Sequence, residues 1–115
     1  MLHQMRLQPS PFEKIKNGSK TIEVRLLDEK RQQLNIGDEI IFTLATDEQQ
    51  SIIAKVTKLS RFPAFKDLCM AFPPEQYGSK SHEEYVAMYK YYSSEDEQKY
   101  GVLAIEIKYL GGKVL

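Results

Sequence analysis

The sequence has few of the residues on which small extracellular and metal-stabilised proteins depend. It contains one cysteine, Cys69, so an internal disulfide is excluded and a reducing compartment is favoured. Its two histidines, His3 and His82, lie far apart without cysteine neighbours, and no metal-binding motif has the required spacing. At 115 residues, the chain is long enough to bury a hydrophobic core without either kind of support.

Long apolar runs are missing as well, and with them the signals that direct a chain into or across a membrane. The N-terminal segment MLHQMRLQPS lacks the apolar centre of a signal peptide. No other stretch approaches the ~20 apolar residues that a membrane-spanning helix needs. We therefore expect a cytoplasmic protein with no membrane partner.

The sequence also has no excess of charge of either sign, because 16 basic residues balance 16 acidic ones. Proteins bind duplexes non-specifically by neutralising phosphates, so this balance argues against strong binding of that kind. Local basic grooves stay compatible with it, since net charge says nothing about distribution. Any nucleic-acid partner is therefore expected to be a short single strand or a single nucleotide.

Glycine-rich phosphate loops are absent too. The six glycines form neither G-x-G-x-x-G nor a Walker sequence, and no helix follows Gly111–Gly112. A Ser-His-Asp arrangement stays open on composition, but no G-x-S-x-G nucleophile elbow is present. We predict that the protein binds no cofactor and no metal ion.

The residues that are present predict a helix near the N-terminus. Ser10-Pro11-Phe12-Glu13 reads as a helix start, with Ser10 as the N-cap and Glu13 completing a capping box. Phe12 and Ile15 would face inward. Gly18 would end the helix in the left-handed conformation that glycine adopts readily.

Further along, short strands and short helices alternate in a pattern typical of a small α+β domain spanning residues 1–115. Local connections favour antiparallel pairing, and about five or six strands could curl into a partly closed barrel flanked by short helices. The last strand is strongly apolar and should be central. The spacing of Phe65, Leu68, Cys69 and Phe72 predicts a buried helix face, so Cys69 is interpreted as core and not as a nucleophile. The predicted elements are an opening strand with Leu2, Met5 and Leu7, strands Glu39–Leu44, Ser51–Lys58 and Val102–Leu110, and helices at Pro63–Phe72, after Ser81 and after Ser94.

Between the first helix and the loop that follows, Thr21 to Leu26 alternates between polar and apolar residues. That pattern predicts a strand with Glu23 and Arg25 on the same face, and Lys20 at its start. Arg25 could bind a phosphate or carbonyl with two hydrogen bonds, while Glu23 could transfer a proton or hold Arg25 in place. The alternative is an exposed Arg–Glu ion pair worth at most about 1 kcal/mol.

Tyrosine is the main aromatic residue, with seven in the chain and no tryptophan. Helical spacing predicts that Tyr85, Tyr89 and Tyr92 pack in the core. Tyr91 and Tyr100 are less clearly core residues. Aromatic side chains beside basic ones can stack the bases of a single strand, which is the functional alternative.

Several of these motifs together resemble the ASCH (activating signal cointegrator homology) domain family of the PUA-like superfamily. They are Pro11-Phe12-x-x-Ile15-x-x-Gly18-x-Lys20-Thr21-x-Glu23-x-Arg25, Gly37-Asp38-x-Ile40, Tyr91-Tyr92-Ser93 and Tyr100-Gly101-Val102 onward. The likeness runs nearly end to end and is strongest to small stand-alone prokaryotic members. It implies a PUA-like β-barrel with a cleft lined by the Gly-x-Lys-x-x-Glu-x-Arg motif.

The resemblance also implies RNA or a modified nucleoside as the ligand. On that basis the predicted ligand-binding residues are Lys20, Glu23, Arg25, Arg31, Tyr92 and Tyr100. One branch of the family hydrolyses acetylcytidine with a lysine, a threonine and a glutamate; Lys20 matches the lysine, and Glu23 occupies the threonine position. Another branch cuts single-stranded RNA. We therefore predict a domain that binds RNA or a nucleotide-type ligand. The alternatives are a metal-independent hydrolase, in which Lys20 and Glu23 are the candidate catalytic residues, and a protein-interaction domain.

Overall fold

The computed structural model describes residues 1–114 and contains a five-stranded mixed sheet that curls into a half-barrel, with several short helices. Its α+β architecture confirms the predicted fold class. The strands are β1 (Leu2–Leu7), β2 (Ile22–Leu26), β3 (Glu39–Leu44), β4 (Asp47–Phe62) and β5 (Val102–Val114). The α-helices are α1 (Pro9–Lys16), α2 (Phe65–Ala71) and α3 (Ser94–Tyr100), and 3-10 segments cover Arg31–Gln33, Pro74–Tyr77 and His82–Lys90.

The strand order is β1-β3-β4-β5-β2, so β5 pairs with a neighbour on each side and is central as predicted. The strands β3 and β4 pair antiparallel as a hairpin, although β4 starts before Ser51 and continues past Lys58. One pairing differs from the expectation from local connections, because β1 runs parallel to β3. α1 and β2 intervene between these two strands and provide the crossover that a parallel pair needs.

The core lies on both faces of the sheet, which explains why β5 is apolar throughout its first half. Leu103, Ile105 and Ile107 belong to a cluster inside the half-barrel with α1 and β3. Val102 and Ala104 alternate with them and pack instead against β2 and α2. A strand buried on both sides reads as a continuous apolar run and not as an alternating one.

The open side of the half-barrel is joined by side chains and not by strand pairing. Arg25 of β2 donates from Nη2 to the carbonyl oxygen of Arg6 in β1 at 2.8 Å. Lys30 donates from Nζ to the carbonyl oxygen of Gln4, also at 2.8 Å. Both carbonyls belong to an edge strand, so these cations satisfy acceptors that a further strand would otherwise pair.

The capping box predicted at Ser10 is wrong, and the two later helix starts are only partly as predicted. Helix α1 begins at Pro9, after Gln8, and no side chain caps it, so Ser10 is inside the helix. The segment after Ser81 is a 3-10 helix without a side-chain cap. At α3 the cap shifts by one serine, because the Asp96 N–H donates to Ser93 Oγ. Local sequence identifies these helix starts to within a residue or two, which is the usual uncertainty of helix ends.

The helical part packs around α2, and Cys69 is buried there as predicted. Burial raises the pKa of its thiol, which disfavours the reactive thiolate. None of the helices within residues 1–114 combines the length and apolar character that crossing a membrane requires.

Candidate ligand-binding cleft

The segment from Gly18 to Arg25 brings three charged side chains together at the start of β2. Gly18 adopts a φ of 86° after α1, as predicted, and reverses the chain. The strand then alternates, with Ile22 and Val24 packed in the core against α2. Glu23 and Arg25 therefore project from the opposite face of the strand, as the sequence pattern predicted.

Glu23 is held between two cations. Its Oε1 lies 2.9 Å from Lys20 Nζ, and its Oε2 lies 2.7 Å from Arg25 Nε. The exposed fractions of the side chains are 8% for Lys20, 5% for Glu23 and 13% for Arg25. The alternative of a solvent-exposed ion pair is therefore wrong, since the charged face of β2 is covered.

Burial and the neighbouring charges shift the pKa values of Glu23 and Arg25. Burial raises the pKa of Glu23, but Lys20 and Arg25 together outweigh that effect and leave it below its ordinary value. Burial lowers the pKa of Arg25, but Glu23 and then Tyr92 outweigh it and leave it above its ordinary value. Glu23 is thus an anion at neutral pH, and the cluster of Lys20, Glu23 and Arg25 carries one net positive charge.

The 3-10 segment Pro74–Tyr77 and the glycine after it hold Lys20 from the other side. The Tyr77 carbonyl accepts from Lys20 Nζ at 3.4 Å, and the Gly78 carbonyl accepts from Lys14 Nζ at 2.9 Å. Gly78 has a φ of 87°, and a Cβ there would lie 3.1 Å from Lys20 Cδ. Glycine at this position therefore permits both the backbone turn and the close approach of the lysine stem.

A cavity of about 610 Å³ opens over this cluster. Lys20, Glu23 and Arg25 line it, and Arg6 and Leu7 of β1 lie along its rim. Aromatic and sulfur-containing side chains also line it: Cys69, Tyr77, Tyr85, Met88, Tyr91 and Tyr92. A volume of this size is in the range of small-molecule sites, which typically combine apolar walls with a few polar groups.

The predicted ligand-binding residues do not all reach this cavity. Lys20, Glu23, Arg25 and Tyr92 line it, and the Tyr92 ring also stacks on Phe65 at 5.4 Å between centroids. Arg31 lines an adjacent cavity instead. Tyr100 lines neither cavity, and Lys99 Nζ lies 5.0 Å from the centre of its ring.

Among the tyrosines expected in the core, Tyr85 and Tyr92 do pack against the α2 cluster. Tyr89 is 40% exposed, although it contacts the Phe65 ring edge-on and its hydroxyl donates to Glu97. Tyr91 is 68% exposed and lines the cavity. The prediction of core packing is therefore correct for Tyr85 and Tyr92 and only partly correct for Tyr89.

Sequence reasoning missed several residues of the site. Arg6 and Tyr77 line the cavity, and Lys14 fixes the segment that covers Lys20. Strand alternation places Arg6 on the face of β1 opposite to Met5 and Leu7. It does not indicate that Arg6 lies near β2. Tyr77 lies 57 positions from Lys20, and no local pattern connects them.

Two other groups of titratable side chains lie outside the cleft's charged cluster. His3 Nε2 contacts Asp38 Oδ2 at 2.8 Å, and this contact is the main reason that the pKa of Asp38 falls to about 2. His82 is half-buried, with Nδ1 2.7 Å from the Cys69 carbonyl oxygen. No three His, Cys, Asp or Glu side chains within the described part of the chain converge as metal ligands.

Comparison with known proteins identifies the same architecture elsewhere. The family model of the ASCH domain matches residues 5–110. The crystal structure of hypothetical protein PH0355 is 39% identical, with a TM-score of 0.85 over 96% of this chain and 100% of that one. Protein PF0455 from Pyrococcus furiosus, solved by solution NMR, is 34% identical, with a TM-score of 0.69 over 96% of this chain and 98% of that one.

A more distant structure shares the fold alone. An alanine mutant of ZmASCH from Zymomonas mobilis is 15% identical to this chain, with a TM-score of 0.66 over 91% of this chain and 66% of its own. No curated protein matches the sequence significantly. The similarity therefore rests on the family model and on solved structures.

Proposed function

The chain belongs to the ASCH domain family, and we propose that its cleft binds RNA or a nucleotide-type ligand. The observation that carries this proposal is that Lys20, Glu23 and Arg25, which are largely shielded from solvent, line one cavity together with four tyrosines. Charged donors suit the carbonyl and phosphate oxygens of such a ligand, and tyrosine rings suit its base.

The electrostatics favour binding over proton transfer. Efficient general acids and bases have a pKa near the working pH, whereas the pKa of Glu23 is lowered from an ordinary value of 4.5. Both of its carboxylate oxygens already contact cations. Glu23 accordingly acts as a positioning residue that aims Lys20 and Arg25 at the cavity.

Tyr91 offers the cleanest test of the proposed cleft, because it lines the cavity while being 68% exposed. Its replacement by alanine removes a stacking surface without opening the core. Base–aromatic stacking is worth about 1–3 kcal/mol per base, so Tyr91→Ala should weaken binding of short single-stranded RNA about fivefold or more. Titration of fluorescent RNA measures this directly.

The matched control is Lys55→Ala, at an exposed position on β4 outside both cavities. Arg25→Ala gives the second arm, because it removes a charged donor from the cavity floor. If RNA binds with equal affinity to wild type, Tyr91→Ala and Arg25→Ala, the cleft is not the ligand site.

Hydrolysis of RNA or of a modified nucleoside is the second candidate, and the 2.9 Å contact between Lys20 Nζ and Glu23 Oε1 favours it. The carboxylate would hold the lysine amine at the cavity, where it could act as a nucleophile or base after losing its proton to solvent or substrate. Incubation with acetylcytidine and with single-stranded RNA, followed by chromatography, tests it. Product formation that Lys20→Met abolishes would support an enzyme, and intact substrates at high protein concentration would exclude these two reactions.

A protein-interaction role has less support than either. That role predicts the charged motif on a convex surface, whereas Lys20, Glu23 and Arg25 line a cavity.

A further inference from the structure

A second cavity of about 390 Å³ adjoins the cleft and differs from it in chemistry. Four of its lining residues are cationic, and the others are Gln4, Met5 and Thr43; the cations are Arg6, Arg25, Lys30 and Arg31. Arg6 and Arg25 also line the cleft, so the two cavities share a wall. Within the described part of the chain, no carboxylate lines this second cavity.

Carboxylates elsewhere neutralise these cations only in part. Arg25 contacts Glu23 at 2.7 Å, and Arg31 contacts Asp28 at 3.0 Å. Arg6 lies 3.7 Å from Glu48, but both side chains are more than 60% exposed, so solvent screens that pair. Lys30 donates to a backbone carbonyl, which leaves its charge in place. The cavity therefore has a net positive lining.

One donor in this group of cations has no acceptor among the described residues. Arg31 Nε is buried, and among the described residues it has no hydrogen-bond partner, although the same guanidinium binds Asp28 through Nη1. A buried donor without a partner is costly, and in native structures it commonly marks a position that a water, an ion or a ligand fills. The fork of an arginine fits the oxygens of a phosphate.

We propose that this second cavity is a phosphate subsite, and that the ligand of the cleft is a phosphorylated nucleotide and not a free nucleoside. The base lies against the tyrosines of the cleft, and the phosphate lies between Lys30 and Arg31. Arg25 stands at the junction. Of its five N–H groups, one donates to the Glu23 carboxylate and one to the carbonyl oxygen of Arg6, which leaves donors for the phosphate.

The placement of a base in the cleft depends on the proposed function. The phosphate subsite is supported separately by the residues that line the second cavity. The test is calorimetric titration of the full chain with the four ribonucleosides, their 5′- and 3′-monophosphates, and inorganic phosphate. Variants Lys30→Gln and Arg31→Gln probe the subsite, and Lys55→Gln is the control. Lys30 is exposed, so Lys30→Gln is expected to fold even if Arg31→Gln does not.

At least one monophosphate is expected to bind wild type about tenfold more tightly than its nucleoside, since a hydrogen bond to a charged group has that worth. Lys30→Gln and Arg31→Gln should each remove most of this difference without weakening the nucleoside. Lys55→Gln should leave it unchanged. With short RNA, each lost phosphate contact should reduce the slope of log K against log salt by about 0.7.

The outcomes separate the two proposals. Equal affinity for nucleoside and monophosphate in wild type would overturn the subsite, as would a monophosphate preference that persists in both variants; either result leaves the base site intact. Binding of inorganic phosphate that Lys30→Gln and Arg31→Gln weaken, with no binding of any nucleoside or nucleotide, would support the anion subsite and contradict the nucleotide function. No binding of any of these ligands, RNA included, would overturn both.

Discussion

Glu23 and Glu97 are both almost fully buried, at 4% and 6% exposure, yet their partners differ in kind. Glu97 accepts from the Phe65 N–H at the start of α2, at 2.8 Å, and from the Tyr89 hydroxyl. Glu23 contacts two cationic side chains, and those side chains line a cavity. One carboxylate connects parts of the fold, and the other holds cations at an open site.

The difference shows how a buried charge can be sorted between structure and function. Glu97 supplies the cap that α2 lacks, because Ala64 before the helix has no side-chain acceptor. Its negative charge is near a helix start, which is favourable, and it contributes to a pKa of about 12 for Tyr89, although burial is the larger cause. The hydrogen bonds to Glu97 therefore connect parts of the fold to one another. The cations beside Glu23 keep donors for a ligand.

Replacement of Glu23 should have the largest effect. Glu23→Ala leaves the buried Lys20 and the partly buried Arg25 without a counter-charge, and breaking a buried ion pair costs about 3 kcal/mol or more. Ligand affinity should fall as well, because Lys20 and Arg25 lose the group that orients them. Urea unfolding measures the first effect and RNA titration the second.

Glu48→Ala is the control for Glu23→Ala, because Glu48 is 78% exposed and lies 3.7 Å from Arg6. That change should alter stability by less than about 1 kcal/mol. A Glu23→Ala protein as stable as Glu48→Ala would show that the buried ion pairs contribute nothing.

Glu97→Ala should lower the free energy of unfolding by about 2 kcal/mol. The change removes a charged hydrogen bond to the start of α2 and leaves the Phe65 N–H buried without that acceptor. Unlike Glu23→Ala, it should leave the affinity of the folded protein for RNA unchanged. Glu95→Ala is the control for helix propensity, because Glu95 is exposed and lies in α3, the helix that contains Glu97. A loss of affinity that matches the Glu23 variant would break the distinction between the two glutamates.

Gly78→Ala should cost about 1 kcal/mol through its positive φ and should also disturb Lys20, whose Cδ would lie 3.1 Å from the new Cβ. Gly37→Ala is a close match, with a φ of 95° and no neighbour within 4 Å of its Cβ. Both variants should lose stability in urea through the positive φ, and Gly78→Ala should lose at least as much as Gly37→Ala because its Cβ also meets the lysine stem. Only Gly78→Ala should weaken ligand binding, and equal affinities would show that the lysine stem tolerates displacement.

Asp38 is a third buried carboxylate, and its contribution to stability should depend on pH only in the acid range. Chiefly the His3 contact, and then the Asn35 N–H, lower its pKa from 3.8 to about 2. A lowered folded pKa stabilises the protein above the unfolded pKa, and that contribution disappears as the pH falls through the folded value. The stability gap between wild type and Asp38→Asn should therefore be constant above pH 3.8 and close towards about pH 2. Urea titrations at a series of pH values measure it, and a gap that widens in acid would contradict the assignment.

Much of the local structure could be predicted from the sequence, since it depends on neighbouring residues. Alternation along β2 indicated that Glu23 and Arg25 share a face, and Gly18 indicated the turn before it. The helix caps were less accurate, because Ser10 and Ser93-Ser94 offer several acceptors within a residue or two of each helix start. The parallel pairing of β1 and β3 was missed, since the segment between them has no local sign of a crossover.

The amino-acid pattern thus determined which residues accompany Glu23 on its strand, because a strand has a strict two-residue period. It left open whether that face meets water or protein. The answer depends on Tyr77 and Tyr92, which approach from distant parts of the chain and cover the charges. Burial, the lowered pKa of Glu23 and the cavity between two strand edges all follow from that long-range packing, which local periodicity does not encode.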